Sequence, residues 1–169
     1  MAPLKGNPNT NVMKNLKTFI TTFLLAIPFL AQTQVESKHR NDMNLNAGII
    51  TSKINETKAF YQNYLDFGVS FENEFYLLMH TPNKSAQLSF LLPNHPTQQA
   101  LFQPEFNGNG VYLTIEVEDV DSLYKALKDK GVEIKIDIRD EPWGDRHFAI
   151  QDPNGIGIDL VKYTPVTGD

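Results

Sequence analysis

The chain predicts an α+β domain built from two βαβββ modules. Three observations carry this. Strand-type alternation brackets two helix-type apolar repeats, the interval Tyr61–Gly68 recurs as Tyr124–Gly131, and a valine follows each time, Val69 and Val132. One module alone would leave an apolar sheet face in water. Pairing two of them, in one chain or across a dimer, is the economical way to bury it.

The elements follow in order. Ala47-Gly48-Ile49-Ile50-Thr51 reads as a short strand. Asn55 is the expected cap of a helix in which Phe60, Tyr64 and Phe67 recur at i, i+4 and i+7, with Gly68 as its left-handed stop. Strands are expected around VSFE, FYLLMH and AQLSFLL, the last two joined by the turn-forming TPNKS. These make a first module over 45–92. The segment 93–109 is too rich in Pro, Asn and Gly for an element and is expected to be a binding loop or a mobile linker. The second module, 110–163, begins with the strand VYLTIEV. Asp121 is the expected cap of its helix, Leu123, Ala126 and Leu127 the apolar stripe, and Gly131 the stop, after which VEIKI, RHFAI and GIGIDLV are strands. Between the last two lies Asp152-Pro153-Asn154-Gly155. Pro153 presets a negative φ, Asp152 can bond forward to the backbone and Asn154-Gly155 tolerates positive φ, so the flanking strands should form an antiparallel hairpin.

Residues 1–12 are a polar N-terminal extension. From Met13 to Thr33 the chain has the layout of a secretory signal peptide: Lys14 and Lys17, an apolar run from about Phe19 to Leu30, then small and polar residues. That run is shorter than the ~20 residues a membrane span needs. The reading implies export, to the periplasm or outside the cell, with no membrane association after cleavage; an uncleaved chain would be cytoplasmic. Residues 34–44 read as a flexible leader. The chain of 169 residues has a net charge of −5, no run of basic residues and no cysteine. Nucleic acid is thereby excluded as a partner, as are disulfides and thiolate chemistry. Removing residues 1–31 carries off Lys5, Lys14 and Lys17 and no acid, leaving a net charge of about −8. A neutral or cationic ligand is favoured by a field of that sign.

The stretch Glu141–Leu160, EPWGDRHFAIQDPNGIGIDL, closely resembles the closing hairpin of the vicinal-oxygen-chelate superfamily, which includes glyoxalase I, the bleomycin-resistance proteins and the extradiol dioxygenases. The resemblance covers about Leu45 to Tyr163. It implies an incomplete barrel around a concave pocket, and a homodimer with the pocket at or near the subunit junction. Metal-using members place histidine, glutamine or glutamate at the positions matching Asn46, Tyr112 and Asp159. This chain offers an amide, a phenol and one carboxylate, a poor set for a divalent metal. No cofactor is therefore expected.

Strand alternation sorts the remaining candidates. In VYLTIEV, Leu113, Ile115 and Val117 should face the helices, leaving Tyr112, Thr114 and Glu116 toward a pocket; in GIGIDLV, Ile156, Ile158 and Leu160 should pack, with Gly157, Asp159 and Val161 on the pocket side. Arg146 could reach an anionic group of a ligand or form a surface ion pair, Trp143 could stack on a ligand or pack at an edge, and Phe148 is counted with the ligand-binding set. His147, alternating with Arg146, is expected to point outward or against the helix layer. No nucleophile elbow and no phosphate-binding glycine loop is present. The expected ligand-binding residues are thus Asn46, Tyr112, Glu116, Trp143, Arg146, Phe148 and Asp159, with no metal ligand assigned. The leading functional reading is metal-independent sequestration of a small molecule; the alternative is a metal-dependent lyase, isomerase or dioxygenase of the same superfamily with a non-standard ligand set. Whether the chain is an enzyme is left open by the residues alone.

Overall fold

The computed structural model describes residues 44–108 and 110–164, and its regular elements fall in the compact unit Leu45–Asp169. The expected signal peptide lies outside the described residues. The elements are β1 (Ala47–Ile50), α1 (Ile54–Leu65), β2 (Gly68–Glu72), β3 (Tyr76–His80), β4 (Gln87–Leu91), β5 (Tyr112–Glu116), α2 (Val120–Asp129), β6 (Ile136–Asp140), β7 (Arg146–Gln151) and β8 (Gly157–Lys162). This is βαβββ twice. The first module forms a sheet in the order β1-β4-β3-β2 and the second repeats it as β5-β8-β7-β6. In each, the first strand runs parallel to the last and the other pairs are antiparallel. The two four-stranded sheets stay separate and no barrel closes.

A helix must cross over between β1 and β2, and between β5 and β6, so each module buries one sheet face beneath its helix. One core cluster draws on both modules. Ile49, Leu77, Met79 and Phe90 enter it from the first sheet, Phe148, Ile150, Ile158 and Leu160 from the second, and Tyr61, Leu65, Val120 and Leu127 from the helices.

Several local expectations are corrected. Lys53, not Asn55, occupies the cap position of α1, with no side-chain cap; its N–H is instead bonded to Thr51 Oγ1 at 3.0 Å. The deepest stripe of α1 is Thr57, Tyr61 and Leu65, one position away from the expected Phe60–Tyr64 line. Asp66, at φ 55°, is the left-handed stop. Gly68 serves a different purpose, because a Cβ there would sit 2.3 Å from His80 Cε1, so only glycine lets the His80 ring lie across β2. Asp119 rather than Asp121 caps α2, accepting from Ser122 N at 3.0 Å. Ala126 is exposed; Val120 and Leu127 are buried, with Leu123 and Tyr124 partly buried against the core. The strand expected at VEIKI is shifted to Ile136–Asp140, with a register irregularity between Ile136 and Arg139, while Val132 and Ile134 pack on the core ahead of it.

The described part of the linking segment, 93–108, is stitched down rather than free. Phe106 N donates to Ile50 O at 2.9 Å, Ser52 donates twice to Glu105 Oε1, and His95 stacks on Phe75 with centroids 3.9 Å apart. It carries a short 3-10 turn at Ala100–Phe102.

The turn Asp152–Gly155 closes the β7–β8 hairpin as expected, with Gly155 at φ 85° and its N–H bonded to Asp152 O. It also does something that turn chemistry does not announce. Asp152 is buried, accepting at Oδ1 from Asn154 N and Ile156 N and at Oδ2 from Asn154 Nδ2 and the Tyr61 phenol. Asn154 in turn reaches the first module, donating to Thr57 Oγ1 at 3.0 Å and accepting from Thr51 Oγ1 at 2.6 Å. Burial, and then the Asp152 charge and hydrogen bond, push the Tyr61 phenol far above its usual range, so it serves as a permanent donor.

Two substitutions test this packing in denaturant unfolding. Ile158→Ala is expected to cost about 2–5 kcal/mol by hollowing the shared core. Asn154→Ala, which leaves part-buried threonine hydroxyls without their partner, should cost roughly 1–3 kcal/mol.

Candidate functional site

The hairpin register dictates what shares a face in the second sheet. Gln151 lies opposite Gly157, which puts Ala149 opposite Asp159 and His147 opposite Val161; β5 adds Tyr112, Thr114 and Glu116 beside Gly157, Asp159 and Val161. All of these point away from the helices, because Phe148, Ile150, Ile158 and Leu160 alternate with them and are fully buried. Tyr112, Glu116 and Asp159 therefore occupy one face, hereafter the outer face, and Thr114 lies between Tyr112 and Glu116.

The other expected residues are placed differently. Phe148 is on the opposite face, wholly buried, with its ring packed edge-on against Tyr124 of α2 at 5.3 Å. It cannot meet a ligand on the outer face. Arg146 also points to the helix side, where Asp121 at 2.7 Å and Asp140 at 2.9 Å hold its guanidinium and raise its already high pKa further. Of its two sequence-level readings, the structure has the ion pair. Trp143 stands in the β6–β7 turn, exposed, its indole N–H bonded to Asp145 Oδ2 at 2.8 Å. Asn46 precedes β1 in the other sheet and is exposed.

Sequence reasoning kept His147 off the face of Tyr112 and Asp159 that it assigned to the pocket, and the structure puts it on that face. It lies on the outer face with Nδ1 2.7 Å from Asp159 Oδ1 and Nε2 3.0 Å from Glu141 Oε1. Glu141 also takes Arg139 Nε at 2.6 Å. A neutral imidazole has one N–H, so donating to both carboxylates requires the imidazolium. Burial lowers the His147 pKa, but the hydrogen bonds and charges of Asp159 and Glu141 outweigh it and hold the ring above its ordinary value. Glu141 is held below the usual carboxylate range, first by His147 and then by Arg139. The signal was present in the chain: counting back in steps of two from Gln151, the residue just before the Asp152 turn, passes Ala149 and puts His147 on the same face as Asp159.

This donor set does not fit a divalent metal. The Asp159 carboxylate is engaged by a ring nitrogen, the Tyr112 phenol would have to lose a proton, and Asn46 brings no charge. Among the described residues no group of three or more His, Asp or Glu is arranged to hold an ion. A concave feature lies elsewhere. A groove of about 1140 Å³ is bounded by Ala47 of β1, Tyr64 and Leu65 of α1, the β3–β4 turn and Leu113–Val117 around β5. Glu116 is the one expected ligand-binding residue that lines it.

Residues 45–160 match the family described as the Glyoxalase/Bleomycin resistance protein/Dioxygenase superfamily. No curated protein sequence matches the chain. Among solved structures, it is similar to a member of that superfamily from Sphaerobacter thermophilus, at 26% identity and a TM-score of 0.57 over 71% of this chain and 96% of that one. It is similar in fold to an antibiotic binding protein from a Streptomyces species, at 21% identity, TM-score 0.58 and coverage of 73% and 98%. A bleomycin resistance determinant encoded on transposon Tn5 aligns at 19% identity, TM-score 0.54 and coverage of 73% and 99%.

The raised His147 pKa has a consequence for stability. Its contribution should be fully present below the unfolded value of about 6.5 and be lost as pH rises through the higher folded value. Denaturant unfolding of the wild type and His147→Gln across this range should show the largest difference at the acid end and a shrinking one toward alkaline pH.

Proposed function

The chain belongs to the Glyoxalase/Bleomycin resistance protein/Dioxygenase superfamily, and on that premise we propose that it binds and sequesters a small molecule without a metal, as a homodimer. The outer face of the second sheet carries the reading. Tyr112 is a large aromatic left 71% exposed on an edge strand, on the same face as a carboxylate that is occupied by an imidazole instead of being free for an ion. A ring so placed offers a flat apolar face and a phenol on which a ligand could stack or hydrogen-bond. The antibiotic binding and bleomycin resistance neighbours support sequestration as the class of activity. The acidic balance of the chain favours a neutral or cationic ligand.

Metal analysis of protein purified under mild conditions decides between this reading and a metal-dependent reaction. Iron, zinc, nickel and manganese should all be well below stoichiometric. A near-stoichiometric metal, with metal-stimulated turnover of a glutathione hemithioacetal or a catechol that disappears in Asp159→Ala, would overturn the proposal. Sedimentation equilibrium tests the homodimer. Tyr112→Ala removes an exposed ring without touching the core, and should weaken association about tenfold, roughly 1.4 kcal/mol, with little change in Tm. Export is part of the same proposal. Natively produced protein should begin near Gln32 or Gln34, and an intact Met1 or Met13 in the cytoplasmic fraction would refute it.

A further inference from the structure

We infer that His147 is a positioning residue of the outer face: as an imidazolium it ties Glu141, in the β6–β7 turn, to Asp159 on β8, and so holds in place the turn that carries Trp143, at the Glu116 end of that face. The functional meaning of this latch rests on the outer face being the ligand site; its existence does not.

The geometry is that of a two-ended bridge. The two ring nitrogens face carboxylate oxygens on different elements, at 2.7 and 3.0 Å. The turn is a small unit closed on itself, with Glu141 N donating to Asp145 O, Gly144 N to Glu141 O, and the Trp143 indole to Asp145 Oδ2. Beyond the β6–β7 ladder, which ends at Asp140–Arg146, the Glu141 side chain is what ties that unit to β8, through His147. The charged groups facing His147 are Asp159 from β8, Arg139 directly opposite on β6, Glu141 from the turn, and Glu116 from β5 beyond Val161 in the same row. Asp140, Arg146 and Asp121 pair on the other face.

Removal of the ring proton leaves one N–H for two carboxylates. A lone pair would then face a carboxylate oxygen at about hydrogen-bond distance, which repels. Glu141 has Arg139 as a second partner, and Arg139 is itself largely in solvent, so Glu141 is the end that lets go. The turn is released while Asp159 keeps the remaining N–H. The outer face also loses a positive charge, so the site would become more receptive to a cationic ligand at the pH where its rim loosens.

Trp143 is the only tryptophan of the chain and reports on the turn directly. Its emission should be recorded on the full-length protein, without ligand, from about pH 5.5 to 9, together with the ring-proton NMR signal of His147. One transition is expected, with a midpoint above the ordinary histidine value of about 6.5 and coincident with the His147 signal. It should vanish in His147→Gln, persist in His80→Gln, and move to lower pH in Asp159→Asn. A transition that survives in His147→Gln, or a flat emission trace while the His147 signal titrates, would overturn the latch. Should His147→Gln fail to fold, Asp159→Asn decides: an unmoved midpoint refutes the assignment. Because no ligand is used, a failure here leaves the sequestration reading standing, and a protein that binds nothing leaves the latch standing.

Discussion

The structure hangs on one buried carboxylate. Asp152 sits at the tip of the last hairpin, where turn geometry alone would put it in water, yet it is 5% exposed and accepts from two backbone N–H groups, an amide and a phenol. A buried charge is tolerated only when its hydrogen-bonding capacity is filled. Here the filling groups come from both modules, because Tyr61 belongs to α1 and Asn154 carries the network on to Thr51 and Thr57. Lys53 adds a bond to Pro153 O at the same junction. The apolar core is nondirectional and would accept small rotations of one module against the other; these hydrogen bonds would not.

That junction has a consequence for the outer face. The tip anchored by Asp152 is the start of β8, and pairing from Gln151–Gly157 onward sets the register of every residue behind it. A slip of one residue would bury Asp159 and expose Ile158 and Leu160. The position of Asp159 beside His147 is thus a product of an anchor seven residues away. The charges on that face are arranged as alternating partners, Arg139, Glu141, His147 and Asp159 in sequence, so the acidic surplus of the chain is not concentrated there. Glu116 and the exposed Tyr112 ring supply the polar and apolar remainder.

The groove beside β1 and β5 follows from the same architecture. Each sheet ends in the first strand of its module, and the linking segment that runs from β4 to β5 is stitched to the end of β1 through Phe106 and Glu105. The opposite end of that gap is left open and is lined largely by helix-side residues such as Leu65, Leu113 and Ile115. Position within the fold, not any motif, makes it a concavity.

Much of this was legible in the chain, and the reasons are specific. Period-two alternation in VYLTIEV and GIGIDLV sorted Tyr112, Glu116 and Asp159 from Leu113, Ile115, Ile158 and Leu160, because a strand has only two faces and one of them is apolar. The paired Tyr–Gly intervals disclosed the repeated module, and Asp152–Gly155 disclosed the hairpin. Helix ends were harder to read. Asp119 and Asp121 are chemically equivalent caps, and Gly68 and Asp66 are both capable of ending α1, so the choice fell to where the next strand had to begin and to the His80 ring that needs Gly68 bare. Arg146 and Phe148 were decided by α2, since Asp121 and Tyr124 become their neighbours only once the helix packs on β7. The charge state and partners of His147 depend in the same way on Glu141 reaching back across the turn. A sequence determines the period of its strands and the chemistry of its turns because these act between residues a few positions apart. Which polar groups meet across elements is settled only by tertiary packing, where burial makes each unsatisfied donor or acceptor costly enough to select one arrangement.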